Sequence, residues 1–217
     1  MRLVVPLRKQ RADSSYECGP ACTSMIFNYY KEAMGIKEIC KDMKVHKNMG
    51  TFGPQIGNYF LRNGFDVEIV SFNPFAFTNN DKRMKKKELI KRFELLRSKS
   101  KRKENKLGSR YYTEYLKNGG RVKVQIPNKK EIVSEIRKGR PLIALLTSRF
   151  LLGKKPGFNF HFCVVTGFDK KYVYVNDPLP SKVGGKQKYL FEDFIFGIHA
   201  ASYGAIDNCS IIKIRKG

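Results

Sequence analysis

The sequence predicts an α+β fold, with a helix-rich first half packed against a mostly antiparallel, strand-rich second half. Three observations predict it. Apolar residues Cys22, Met25, Ile26, Tyr29, Tyr30 and Ala33 recur at helical spacing behind Gly19-Pro20. Two later segments, residues 160–167 and 172–176, are dense in β-branched and aromatic side chains and flank a turn signal, Gly167-Phe168-Asp169-Lys170-Lys171. A chain of 217 residues with 41% apolar side chains is long enough for one well-buried core, so residues 1–217 are read as a single domain.

Each element has a local reason. Residues 3–7 read as an opening strand. The helix at 21–35 has Pro20 in its first turn, where a missing N–H has no intrahelical partner to lose. A polar joint containing His46 leads to a helix at 52–63, stopped by Gly64, and a strand at 65–72. Residues 85–97 carry Leu89, Phe93 and Leu96 at i, i+4 and i+7, which makes an amphipathic helix with a basic face. Residues 98–107 are almost wholly polar and read as a mobile linker. A short helix at 110–117 ends at Asn118-Gly119-Gly120, a strand follows at 121–126, and a helix at 129–138 is capped by Gly139. Strands at 141–147, 186–190 and 209–214 join the hairpin in the sheet.

Chemistry-bearing residues gather on these elements. Cys18 lies where a loop with Ser14, Ser15 and Glu17 meets the first helix, so its thiol feels the positive end of the helix dipole, which favours the reactive thiolate. His161 and Asp177 are equidistant from residue 169 at the turn, which predicts that they face each other across the hairpin. A carboxylate there would bond one ring nitrogen and leave the other for the thiol. Cys18, His161 and Asp177 thus form a nucleophile, base and orienter set. Cys22 and Cys163 lie on apolar faces and read as small core residues. His46 and His199 read as ordinary hydrogen-bonding partners, and the glycine pairs at 119–120 and 184–185 as turns. The Cys18/Cys22 spacing has no second Cys or His pair to complete a metal site, so no metal or cofactor is expected.

Read together, Gln10, Glu17-Cys18-Gly19-Pro20-Ala21-Cys22, Gly50-Thr51, Asn63-Gly64-Phe65, Gly139-Arg140-Pro141 and the block from His161 to Asp177-Pro178 resemble the papain-like cysteine peptidases of the double-glycine leader peptidase (bacteriocin-processing) family. The resemblance runs from about residue 5 to residue 214 and is weakest between 75 and 120. It implies a papain-like fold in which the Cys helix packs against a sheet carrying His and Asp. It also implies a Cys18, His161 and Asp177 triad that hydrolyses a peptide bond, after a Gly-Gly type leader, with Gln10 as side-chain donor of the oxyanion hole. Gln10 precedes Cys18 by eight residues where the family more often has about six, so the intervening loop carries extra length. Exporters of the family join such a domain to an ATP-driven transporter; without spans or a phosphate-binding loop, this sequence is read as a stand-alone domain. Two alternatives stay open: an acyl or peptidyl transferase using the same thiol, and a non-catalytic peptide- or polyanion-binding module.

The formal net charge is +24, and residues 81–123 hold seventeen basic against five acidic side chains, about half of the excess. Besides a peptide or protein substrate, this basic segment is read as a solvated surface or as a contact for an acidic partner, an anionic membrane surface or nucleic acid. No run approaches the roughly 18 apolar residues of a membrane span. Residues 1–7 are too short an apolar segment for a secretory signal, and five cysteines without repeated spacing do not read as a disulfide framework. A cytoplasmic protein is expected.

Overall fold

In this computed structural model all residues except 47, 156 and 158 are described. Seven strands among them, β1 (Phe65–Ser71), β2 (Arg121–Val124), β3 (Leu142–Thr147), β4 (Phe160–Phe168), β5 (Tyr172–Asp177), β6 (Gly185–Leu190) and β7 (Ser210–Lys216), form one sheet. Its order is β2-β1-β7-β3-β4-β5-β6, and every neighbouring pair is antiparallel except β1 and β2. The helices are α1 (Cys18–Tyr29), α2 (Ile36–Met43), α3 (Gly53–Arg62), α4 (Lys86–Lys99), α5 (Lys103–Lys117), α6 (Lys129–Arg137), α7 (Ser148–Leu151) and α8 (Phe191–Ala200). Strand alternation feeds two cores. Ile143 and Leu145 of β3 join side chains of α1, α3, α4 and α5, whereas Leu142, Ala144 and Leu146 join those of α6 and α8.

Several elements differ from the sequence expectation, each for a visible reason. β1 does not stay with the helical half; it sits between β2 and β7, so the strands do not segregate cleanly by position in the chain. Residues 3–7 form no strand. Instead Leu3 N donates to Thr166 O at 2.7 Å and the Met1 ammonium to Phe168 O at 2.7 Å, which lays the opening segment along β4. Gly167 permits this approach, because a Cβ there would stand 2.6 Å from the Met1 carbonyl oxygen. α8 lies outside the elements expected from the sequence, although its Phe191, Phe194, Ile195 and Ile198 recur at i, i+3, i+4 and i+7 and Glu192 and Asp193 stand in its first turn.

The first helix begins at Cys18 and stops at Tyr29, well short of residue 35. Lys31 takes a left-handed φ of 63°, while Lys31 N donates to Asn28 O at 3.2 Å and Glu32 N to Phe27 O at 2.9 Å. This is a Schellman stop with lysine where glycine is usual, so the sequence carried no stop signal there. Lys31→Gly is expected to stabilise the fold by about 0.5–1 kcal/mol, the left-handed penalty less the added entropy of the unfolded chain. Thermal unfolding of the two proteins checks it; an unchanged or lower midpoint would mean that the lysine carries no strain.

The mobile linker is also corrected. Residues 103–107 are the first turns of α5, and only residues 100–102 separate it from α4. Tyr112, Tyr115 and Leu116 bury one face of α5, and the Tyr112 ring stacks on Phe93 of α4 with centroids 4.3 Å apart. That tertiary face outweighs the polar composition of the first turns.

Candidate active site

Cys18 occupies the first position of α1, half-buried, with Pro20 still within the first turn. Gly19 brings this end of α1 against the 50–52 loop, since a Cβ at Gly19 would lie 2.9 Å from Thr51 Cβ. The Cys18 thiol hydrogen-bonds with His161 and meets the backbone N–H groups of Phe162 and Gly19. His161, on β4, and Asp177, at the end of β5, are both buried, with His161 Nε2 3.0 Å from Asp177 Oδ1. Nε2 is thereby committed to the carboxylate, which leaves Nδ1 for the sulfur. The same oxygen, Asp177 Oδ1, also accepts the Leu179 N–H at 2.9 Å, which helps to fix the carboxylate.

The two strands do not meet in the register that symmetry about residue 169 predicts. Asp169 N donates to Tyr172 O, so the turn centres on Lys170 and Lys171, and the first pairs are Phe168 with Val173 and Gly167 with Tyr174. Continued regularly, that ladder would set Asp177 across from Val164, on the opposite face of the hairpin from His161. A bulge between Val165 and Gly167 adds one residue to β4, after which Val165 pairs with Val175 and Val164 with Asn176. Asp177 then falls across from Cys163, one diagonal step from His161 and on its face. The predicted neighbours do meet, through a bulge and not by direct opposition.

Electrostatics follow from this geometry. Burial pushes the Cys18 thiol up, but the hydrogen bond and charge of His161, with the N–H groups of Phe162 and Gly19, outweigh it and leave the thiol below its ordinary value. Burial alone would push His161 down; its hydrogen bonds to Asp177 and Cys18, and the charges of both, raise it well above the usual imidazole range. The two are coupled, each drawing the other toward its charged form. Cys22 and Cys163 are driven well above the usual thiol value, first by burial, so neither competes as a nucleophile.

Gln10 reaches the site through its backbone, donating N–H to Pro178 O at 2.8 Å, next to Asp177. Its side chain is buried, but Nε2 donates to Ala12 O at 2.7 Å and Asp13 O at 3.2 Å, so its donors are held by the extra loop length. His46 Nε2 lies 2.8 Å from Tyr111 Oη and His199 Nε2 2.7 Å from Pro127 O, both outside the Cys18 cluster. Among the described residues no group of three or more His, Cys, Asp or Glu side chains is placed to hold a metal ion. No described helix is long and apolar enough to cross a membrane.

Cys18 opens into a cleft of about 420 Å3 walled by Tyr16, Phe52, Leu145, Phe160 and Phe162, with Arg102 at its rim. Asp207 and Asn208 also line it. Asp207 is buried and accepts the Gly53 N–H at 2.9 Å; burial pushes its carboxyl up to about 6. None of these cleft residues was visible as such in the sequence. They come from loops and strands far apart in the chain; Tyr16, Phe52, Phe160 and Phe162 stand close to residues that the sequence marks, whereas Leu145, Arg102, Asp207 and Asn208 do not.

A sequence model of the Peptidase_C39 like family matches residues 2–208. Comparison with curated proteins gave no match. Among solved structures, a double glycine motif protease from an AMS/PCAT transporter, in complex with its leader peptide, aligns over 100% of this chain and 94% of its own, with 16% identity and a TM-score of 0.52. The peptidase domain of Streptococcus ComA, a bi-functional ABC transporter involved in a quorum sensing pathway, aligns over 97% of this chain and 98% of its own, with 15% identity and a TM-score of 0.51. At that identity the likeness is one of fold, the papain-like arrangement of a Cys helix against a sheet bearing His and Asp. Because the family match spans nearly the whole chain, from the opening segment that lies along β4 to the residues before β7, this protein belongs to the Peptidase_C39 like family.

Proposed function

We propose that this protein is a cysteine peptidase that cleaves a peptide bond through Cys18, His161 and Asp177. The observation that carries the reading is the buried relay at the head of α1: a thiol bonded to an imidazole whose far nitrogen lies 3.0 Å from a carboxylate. The Cys18 thiolate attacks the carbonyl carbon, a C–S bond forms, and the carbonyl electrons move to oxygen. Imidazolium His161 donates its proton to the leaving amine as the C–N bond breaks, giving a thioester and neutral imidazole. His161 then takes a proton from water, whose oxygen attacks the thioester; loss of the C–S bond restores thiolate and imidazolium. Asp177 holds the tautomer and counters the imidazolium charge.

The oxyanion is assigned to the Cys18 backbone N–H and to Gln10, whose amide must turn from Ala12 and Asp13 to reach it. A donor of this kind is typically worth roughly 2.7–4 kcal/mol. The substrate is read as a peptide with a Gly-Gly type leader, supported by the leader complex of the double glycine motif protease. We place the activity in the cytoplasm, where five free thiols stay reduced.

The direct test is intact-mass analysis after brief exposure to limiting iodoacetamide across pH 5–9, followed by turnover of Gly-Gly peptides. Because the Cys18 thiol is held low, its alkylation is expected to persist at pH values where an ordinary thiol is protonated, and to lose that advantage in His161→Ala. Alkylation of Cys18 that rises only toward the ordinary thiol range, with or without His161, would sink the reading. Product carrying an added amine in place of water would instead make the protein a transferase.

A further inference from the structure

The tip of the α4–α5 hairpin holds Arg97, Lys99, Lys101, Arg102, Lys103 and Lys106 within ten residues, with Glu104 the one acid among them. All six cations are exposed. Further along the same pair of helices three of the six cations are matched, Arg92 with Asp81 at 3.0 Å, Arg110 with Glu114 at 3.3 Å and Lys117 with Glu94 at 3.0 Å, whereas Lys86, Lys87 and Lys91 form no ion pair among the described residues. At the tip none of the six forms an ion pair among the described residues. Three of them, Arg102, Lys103 and Lys106, crowd the N-terminal end of α5, where the helix dipole disfavours positive charge. Their charge therefore costs the fold stability, which points to a use outside it.

Position supplies the second half of the argument. Arg102 and Glu104 line the same cleft as Cys18. α5 is held there by Tyr111, which bonds His46 at 2.8 Å and packs on Phe52 with ring centroids 5.4 Å apart, and by Gly108, whose Cβ would meet Ile206 at 3.0 Å. The tip is thus a fixed rim of the cleft. Residues 97–106 contain no aromatic or aliphatic side chain, so they offer nothing to stack on bases or to insert among lipid chains.

We propose that this rim docks an acidic segment of the peptide substrate, which leaves the cleft past Arg102 and lies against Lys99, Lys101 and Lys106. The proposal rests on the peptidase reading for what enters the cleft. It makes the protein selective for peptides that carry Asp or Glu on one flank of the scissile bond, through charge and without a fixed side-chain pocket.

The test uses Gly-Gly peptides that carry four glutamates on one flank, four on the other, or four glutamines. In low salt the KM of one glutamate peptide is expected to be roughly tenfold below that of the glutamine peptide, as several exposed charge pairs together supply. The gap should close near about 0.5 M salt, where screening is short-ranged. Lys99→Glu, Lys101→Glu and Lys106→Glu combined should erase it while leaving kcat and the glutamine-peptide KM unchanged; the corresponding Gln triple should erase most of it. Equal KM values for all peptides, or a variant that weakens glutamine and glutamate peptides alike, would overturn the proposal. So would tighter binding to phosphatidylserine vesicles or to duplex DNA than to the glutamate peptide. Fluorescence anisotropy with Cys18→Ala protein reads docking without turnover. If the wild-type protein cleaves nothing, the peptidase reading fails, while this arm still decides whether the rim binds acidic peptide.

Discussion

Asp177→Asn is expected to lower kcat on a Gly-Gly peptide by about 10^3–10^4, and Cys18→Ala to abolish turnover, with the fold intact in both. Asparagine keeps the volume of the buried side chain and still accepts the Leu179 N–H that Asp177 Oδ1 accepts at 2.9 Å. What it lacks is the charge that holds His161 as imidazolium. Asp177 raises His161, so its loss lets the imidazole deprotonate at lower pH. The basic limb of the pH–kcat profile should therefore move toward acid, while the midpoint of thermal unfolding changes little. A substitution that slowed turnover with no movement of that limb would assign Asp177 a purely structural place in the hairpin. Kinetics across pH 5–10 on both variants separate the two.

The second large effect lies away from the cleft. Lys213 of β7 is buried and binds Glu68 at 3.0 Å and Glu131, with Lys123 reaching Glu131 at 2.8 Å and Arg215 reaching Glu68 at 3.7 Å. Lys213→Ala would leave two half-shielded carboxylates facing the same gap. Breaking a buried pair in this way costs about 3–5 kcal/mol, and we expect the low end because Lys123 and Arg215 remain. Urea unfolding at pH 7 measures it; a loss below about 1 kcal/mol would mean that the cluster is solvated like a surface pair. Burial pushes Glu131 up, but its bonds to Lys123 and Lys213 prevail and hold it down to about 2. The folded value is depressed, so the stabilisation is present above the ordinary carboxylate range. It is lost as pH falls from about 4.5 to about 2, and the Lys213→Ala protein should show a shallower acid transition over that window.

Particular residues show what could be read in the sequence. The Cys18 helix, the helix at Gly53–Arg62, the hairpin strands and the Asn128-capped helix at Lys129–Arg137 all carry their signals locally, in apolar period, caps and turn residues. Lys31 stops α1 with no glycine to announce it, because backbone hydrogen bonds to Asn28 and Phe27 hold a strained conformation that any residue can be forced into. The first turns of α5 are polar in composition, and they are helical because the turns that follow bury Tyr112 and Tyr115. α8 carries a local signal of its own, Phe191, Phe194, Ile195 and Ile198 at helical spacing, and its Phe194 and Ile198 fill the core beside β3 and β5. For α5, long-range packing overrode a weak local preference.

The candidate site divides along the same line. By itself the sequence located the candidate groups: which thiol sits at a helix start, which imidazole and carboxylate share a hairpin, and that half of a large positive charge lies in one segment. These follow from residue type and short spacing, where local physics suffices. Only the tertiary structure decided that a bulge between Val165 and Gly167 returns Asp177 to the face of His161, that the Gln10 amide is held by its own loop, and that Arg102 stands at the mouth of the Cys18 cleft. A one-residue change of register reverses every side chain on a strand, and a cleft is assembled from segments that no sequence window contains. Those facts belong to the pairing and packing of distant residues, which sequence spacing does not encode.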